Sequence, residues 1–143
     1  MSQLGQHTVA DSERAGVRCP PIGVEWVVDA VGCEALQLAD LAFVRTVCED
    51  VVRRLELNVV GQPQWHQFPE PSGVTGLYLL SESHLACHTF PEHGLATFNL
   101  YCCRRRVSLD WERLLTERLG AQEVRVREID RGLVQTVRQE AGR

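Results

Sequence analysis

Residues 81–103 read SESHLACHTFPEHGLATFNLYCC and concentrate the side chains that could do chemistry: two serines, three histidines and three of the chain's six cysteines. On a helix, His84 and His88 would share a face four residues apart and could grip one zinc ion. On a strand they also share a face, but roughly 13 Å apart, too far for one ion. Thr89, Phe90 and the turn at Pro91 favour the strand, so no metal is expected; each histidine is otherwise a hydrogen-bonded structural imidazole. A serine hydrolase would need a nucleophile elbow of the GxSxG type, which is missing, and Ser83 beside His84 makes no triad. Thiol chemistry is the third option. If residues 95–103 form a strand, Ala96, Phe98, Leu100 and Cys102 make an apolar face, and Thr97, Asn99, Tyr101 and Cys103 a polar one. Cys102 then reads as packing. Cys103 is followed by Arg104, Arg105 and Arg106, which favour its thiolate if they lie close; the plain alternative is that both cysteines are filler.

The elements that must hold these residues can be read in order. Residues 1–20 are polar, end in a Pro-Pro pair and read as a mobile extension. Gly23–Val31 is a β-rich run between two glycines, a first strand. From Leu38 the apolar residues Leu41, Val44, Cys48, Val51, Val52 and Leu55 recur at three and four, the stripe of an amphipathic helix. Residues 58–68 look like a second strand broken by Pro63, residues 69–76 like a turn-rich loop, and residues 77–80 like a third extended run. Ser108 is placed to cap a helix that runs through Leu119 and stops at Gly120. Residues 123–130 alternate as a last strand, and residues 133–143 are a polar tail. The expected fold is α+β, a two-layer sandwich with a mainly antiparallel sheet and two helices on one face, over residues 21–132. The uncovered sheet face needs a partner surface, and a homodimer or higher oligomer is expected.

Composition removes several function classes. At 143 residues and 44% hydrophobic, the chain has enough apolar material for one real core. A formal charge of −4 argues against a nucleic-acid binder. No apolar run approaches the roughly 20 residues of a membrane span. Neither a signal pattern nor a disulfide framework is evident, so a reducing cytoplasm is expected. All fifteen basic residues are arginine. A lysine-free chain can hold no pyridoxal phosphate in its usual linkage and has no phosphate-loop lysine.

SESHLACHTFPEHG followed by a cysteine at a strand end resembles the small prokaryotic S-adenosylmethionine decarboxylases, whose pattern is close to SESH-x3-HTWPE-x-G. The resemblance runs over roughly residues 21–132 and brings Ser83, His88, Pro91, Glu92, Gly94 and Cys103 into register. It implies a self-processing proenzyme: Ser83 attacks the Glu82 carbonyl, the chain splits between them, and residue 83 becomes a pyruvoyl group. That group forms a Schiff base with the substrate's amine and takes up electrons as carbon dioxide leaves. By the same resemblance His88 acts in processing and Thr75 supports it, while Cys103 protonates the substrate carbon; His88 and Cys103 are thus expected beside Ser83. Phe68 stacks on adenine and Glu92 binds the ribose; their plain readings are a core aromatic and a solvated turn acid. The implied product is the aminopropyl donor for spermidine and other polyamines, made at a site shared across a dimer. Phe90, Asn99, Arg104 and Glu25 depart from the usual Trp, acid, Gly and His, and the loop from Phe68 to Gly73 is slightly longer. These departures keep a basic amino acid, arginine or ornithine, open as substrate. An unprocessed, non-catalytic paralogue acting as a binding subunit is a further alternative.

Overall fold

The structure, a computed structural model, describes residues 20–104 and 108–133. Residues 1–19 and 134–143, which hold most of the expected extension and tail, lie outside the described residues, as do Arg105 and Arg106.

The first strand, β1, is Gly23–Val31 and buries alternate residues, Val24, Trp26, Val28 and Ala30. Two helices follow, α1 (Ala35–Leu38) and α2 (Leu41–Arg54). The sequence stripe reads as one helix, but the chain breaks at Asp40, whose carboxylate accepts the Phe43 N–H at 3.0 Å and starts α2 afresh. Next come β2 (Gln64–Gln67), β3 (Val74–Leu80), β4 (Ser83–Phe90) and β5 (Leu95–Cys102), then α3 (Trp111–Leu119) and β6 (Glu123–Arg131). The expected second strand shrinks to four residues past Pro63, with only a bridge from Val59 to Leu80 before it. β3 begins at Val74, inside the expected loop. Its Gly76 lies beneath the Trp65 ring, where a Cβ would stand 2.5 Å from the nearest ring atom. Asp110 caps α3 in place of Ser108, accepting the Arg113 N–H at 3.0 Å.

All described strand pairings are antiparallel, in the order β2-β3-β4-β5-β1-β6, so the first strand is wedged between β5 and β6. The three helices cover one face. Leu38, Val44, Val47, Val51, Leu114 and Leu115 are packed there against Val28, Leu85, Phe98 and Leu100, all but fully buried. Each such side chain contributes about 2 kcal/mol of transfer free energy. The opposite face is uncovered. Leu77 and Leu79 point from it at 48% and 61% exposure, with Phe90 and Ile129 also open.

Candidate active site

The sheet register builds the first cluster. His66, Thr75, His88 and Thr97 stand in one row across β2, β3, β4 and β5 on the uncovered face. Thr75 and His88, being directly opposed, meet through Thr75 Oγ1 and His88 Nδ1 at 3.1 Å. The neighbouring Thr89 is buried on the helix side, where its hydroxyl accepts the Val74 N–H and donates to the Leu38 carbonyl. Those bonds lock β3, β4 and α1 together, and with them the strand that carries His88. The turn before β3 folds back as the Phe68 N–H donates to the Gly73 carbonyl at 2.8 Å. Gln67 ties the same turn to Ala39 and Ser72. Phe68 is thereby held half-exposed, edge-on to His66 with ring centres 4.6 Å apart. A cleft of about 280 Å³ opens between this turn and the 3-10 turn Pro91–His93, and Phe68, Thr75, His88, Phe90 and Glu92 line it. Four residues singled out from the sequence, Phe68, Thr75, His88 and Glu92, thus share one cleft.

The second cluster lies at the other end of β4. β3 and β4 form a hairpin in which Leu80 pairs with Ser83, leaving Ser81 and Glu82 as its turn. Ser83 has a φ of 151°, a positive angle that L-residues rarely adopt. The Glu82 carbonyl oxygen accepts the backbone N–H of Cys103 at 2.9 Å. Asn58 clamps the turn from the side: its carbonyl accepts the Ser81 N–H, and its backbone and side-chain N–H groups donate to the Glu82 carboxylate. Burial raises the Glu82 carboxyl, but donors from its own amide, Asn58 and Ser81 outweigh this and hold it below the usual carboxylate range. Ser83 Oγ lies 3.2 Å from His84 Nδ1. Cys102 is fully buried and Cys103, one residue past the end of β5, is exposed. His88 does not stand beside Ser83 within one chain. Five residues of strand separate them, roughly 16 Å.

A family model described as S-adenosylmethionine decarboxylase matches residues 24–132. The chain belongs to the S-adenosylmethionine decarboxylase family. Similar proteins include S-adenosylmethionine decarboxylase proenzyme 2 of Halalkalibacterium halodurans, 33% identical over 113 residues, spanning 78% of this chain and 87% of that protein. The S-adenosylmethionine decarboxylase proenzyme of Moorella thermoacetica is 35% identical over 117 residues, 80% of this chain and 90% of that one. Among solved structures, the adenosylmethionine decarboxylase of Aquifex aeolicus superposes with a TM-score of 0.67 at 26% identity, covering 83% of this chain and 98% of its own. The protein is accordingly a decarboxylase with the α+β fold of that family.

Within the S-adenosylmethionine decarboxylase fold, the departures from the usual pattern have definite places. Glu25 pairs with Arg131, whose guanidinium lies 5.3 Å from the centre of the Tyr101 ring. Asn99 stands between Ala86 and Val27 on the uncovered face. Phe90 edges the cleft, and Arg104 is exposed beside Cys103. Sequence reasoning missed Asn58, whose contact with Glu82 spans 24 residues with no periodic signal. It also missed His66, which a period-two reading of β2 puts on the same side as Phe68.

Proposed function

We propose that the chain is a self-cleaving precursor in which Ser83 supplies a pyruvoyl group, and that the processed enzyme decarboxylates S-adenosylmethionine to the aminopropyl donor of spermidine synthesis. The observation that carries this reading is the bond between Glu82 and Ser83. Its carbonyl already accepts an N–H from Cys103, and the residue after it is held at a positive φ. An amide-to-ester exchange is uphill, and strain of about 1–3 kcal/mol in the starting turn favours it. The donor on the carbonyl oxygen sits where negative charge develops on attack.

From the ester, a base removes the Cα proton of residue 83, the Cβ–Oγ bond breaks, and Glu82 leaves as a new carboxylate terminus. The resulting enamine tautomerises to an imine, and water releases ammonia to leave the ketone at the head of β4. Bound there, the pyruvoyl group supplies an electron sink for loss of carbon dioxide from an α-amino acid. The chain's own residues do the rest. Phe68 offers a half-exposed ring for adenine to stack on, and Glu92 an acceptor for ribose hydroxyls. His88, oriented by Thr75, is the processing base, and Cys103 Sγ delivers the proton to the substrate carbon.

One chain holds these two groups of residues at opposite ends of β4, so the working unit is a dimer of processed chains. A second copy seated on the uncovered face in antiparallel fashion brings the Ser83 end of one protomer to the His88 end of the other and covers Leu77 and Leu79. Work in the cytoplasm is part of the same proposal, and the free thiols of Cys33, Cys48, Cys87 and Cys103 suit a reducing compartment; no helix among the described residues is long and apolar enough to cross a membrane.

Intact-mass measurement on the denatured protein tests the proposal. Two fragments are expected, one ending at Glu82 and one headed by a pyruvoyl group, with a single full-length chain for Ser83→Ala. A parent protein that stays full-length sinks the reading. Carbon dioxide release should be far faster from labelled S-adenosylmethionine than from arginine or ornithine; the reverse ranking reassigns the substrate.

A further inference from the structure

We propose that His84 is the general base, and then the acid, of the first processing step, the exchange of the Glu82–Ser83 amide for an ester. This rests on the self-cleavage reading above and adds the residue that starts it. A serine hydroxyl is a weak nucleophile until its proton has somewhere to go. Ser83 Oγ lies 3.2 Å from His84 Nδ1, within the reach expected of a general base. His88 of the same chain is roughly 16 Å away along the strand, and the His88 that the proposed dimer brings to Ser83 has its own task in the later removal of the Cα proton.

The imidazole is placed from outside the bond it serves. His84 projects from the uncovered face at the end of β4, next to Leu79 of β3 and Tyr101 of β5 in the register. Its ring centre is 5.8 Å from that of Tyr101. The same tyrosine ring carries the Arg131 guanidinium, which is itself anchored by Glu25. The tautomer that carries its proton on Nε2 presents the Nδ1 lone pair to the serine hydroxyl.

The step balances without water or any other reactant. The hydroxyl proton moves to Nδ1 as the Oγ–C bond forms at the Glu82 carbonyl. The carbonyl π pair moves onto oxygen, where the Cys103 N–H receives it. On collapse the C–N bond breaks, and the Ser83 nitrogen leaves with the proton returned from Nδ1. A positioned base and acid of this kind is worth about 10²-fold or more in rate.

Freshly made precursor of the parent, His84→Ala and His84→Gln chains is followed by intact mass with and without hydroxylamine. Hydroxylamine cleaves only the ester, leaving Glu82 as a hydroxamate and residue 83 as an intact serine, so it reads the first step apart from the elimination. Both variants should fold as the parent does by circular dichroism, the side chain being exposed. Ester trapping and cleavage should both slow by about 100-fold, and added imidazole should restore them in His84→Ala. A His84→Ala chain that is trapped at the parent rate overturns the inference, whether or not it goes on to eliminate. A parent chain that never cleaves overturns the self-cleavage reading and this inference with it.

Discussion

Cys102 and Cys103 are neighbours in sequence with opposite surroundings. Cys102 is sealed in the core and Cys103 stands in solvent beside the turn that carries Ser83. Substituting them should therefore give opposite defects. Cys103→Ala keeps the backbone N–H that bonds Glu82, so the chain should still split, but carbon dioxide release should fall by about 10²-fold or more for want of a proton donor. Cys102→Ala should retain turnover and lose about 1 kcal/mol in denaturant unfolding, the cost of a small cavity. If Cys102→Ala is the variant that loses turnover, the assignment is reversed. This division was legible in the sequence because period-two alternation is a local property of a strand. The contact between Ser83 and His84 was not. Successive residues on a regular strand point to opposite faces, and it is the φ of 151° at Ser83 that breaks the rule. No pattern of residue types announces a strained backbone angle at a serine.

At the scale of elements, periodicity found the buried stripe of α2 but not its beginning. Leu38 and Leu41 continue the apolar phase across the break, so only the Asp40 cap distinguishes two helices from one. The start of β3 was hidden for the opposite reason. Gly73 and Gly76 look like turn residues, yet Gly76 is paired within the strand, and it is a glycine there because the Trp65 ring leaves no space for a side chain. Another inter-element contact that periodicity could not supply is Asp50 of α2. It receives Arg53 and Arg54 from its own helix and Arg118 from α3, clamping the two helices over the sheet. The Arg53 hydrogen bond, helped by the charges of Arg118 and Arg54 and opposed by burial, holds its carboxyl below the usual range. A carboxyl depressed in the folded state adds stability above its unfolded pKa and loses it as pH falls through the folded value. Asp50→Asn should thus cost about 1 kcal/mol near pH 7, and thermal melts of the two proteins should converge in strong acid. A gap that stays constant down to pH 2 would remove the ion pairs from the account.

For the whole molecule, the sequence disclosed a surplus face and a reason to pair it, but not which residues stand at which end of it. Only the register places Phe68, Thr75, His88 and Glu92 at one end of the sheet and Ser83 with Cys103 at the other. The dimer proposed above makes a sharp prediction about mixtures. His88→Ala and Cys103→Ala chains should each be inactive as pure dimers. Co-expressed, they should recover about a quarter of the parent turnover, since roughly half the dimers are mixed and each mixed dimer has one intact site of its two. No recovery in a mixture shown by native mass spectrometry to contain mixed dimers would mean that each chain works alone.

The strand order has one more consequence. A cut between Glu82 and Ser83 puts β1, α1, α2, β2 and β3 on one product and β4, β5, α3 and β6 on the other. Yet β1 remains between β5 and β6, and β3 remains paired with β4. The products of the proposed cut could not drift apart without dismantling the sheet. Once opened, the bond no longer holds the halves at each other's effective concentration, and after unfolding they must meet again by diffusion. If Ser83 is processed as proposed, the precursor can forget its fold and find it again, and the mature enzyme depends on never having to.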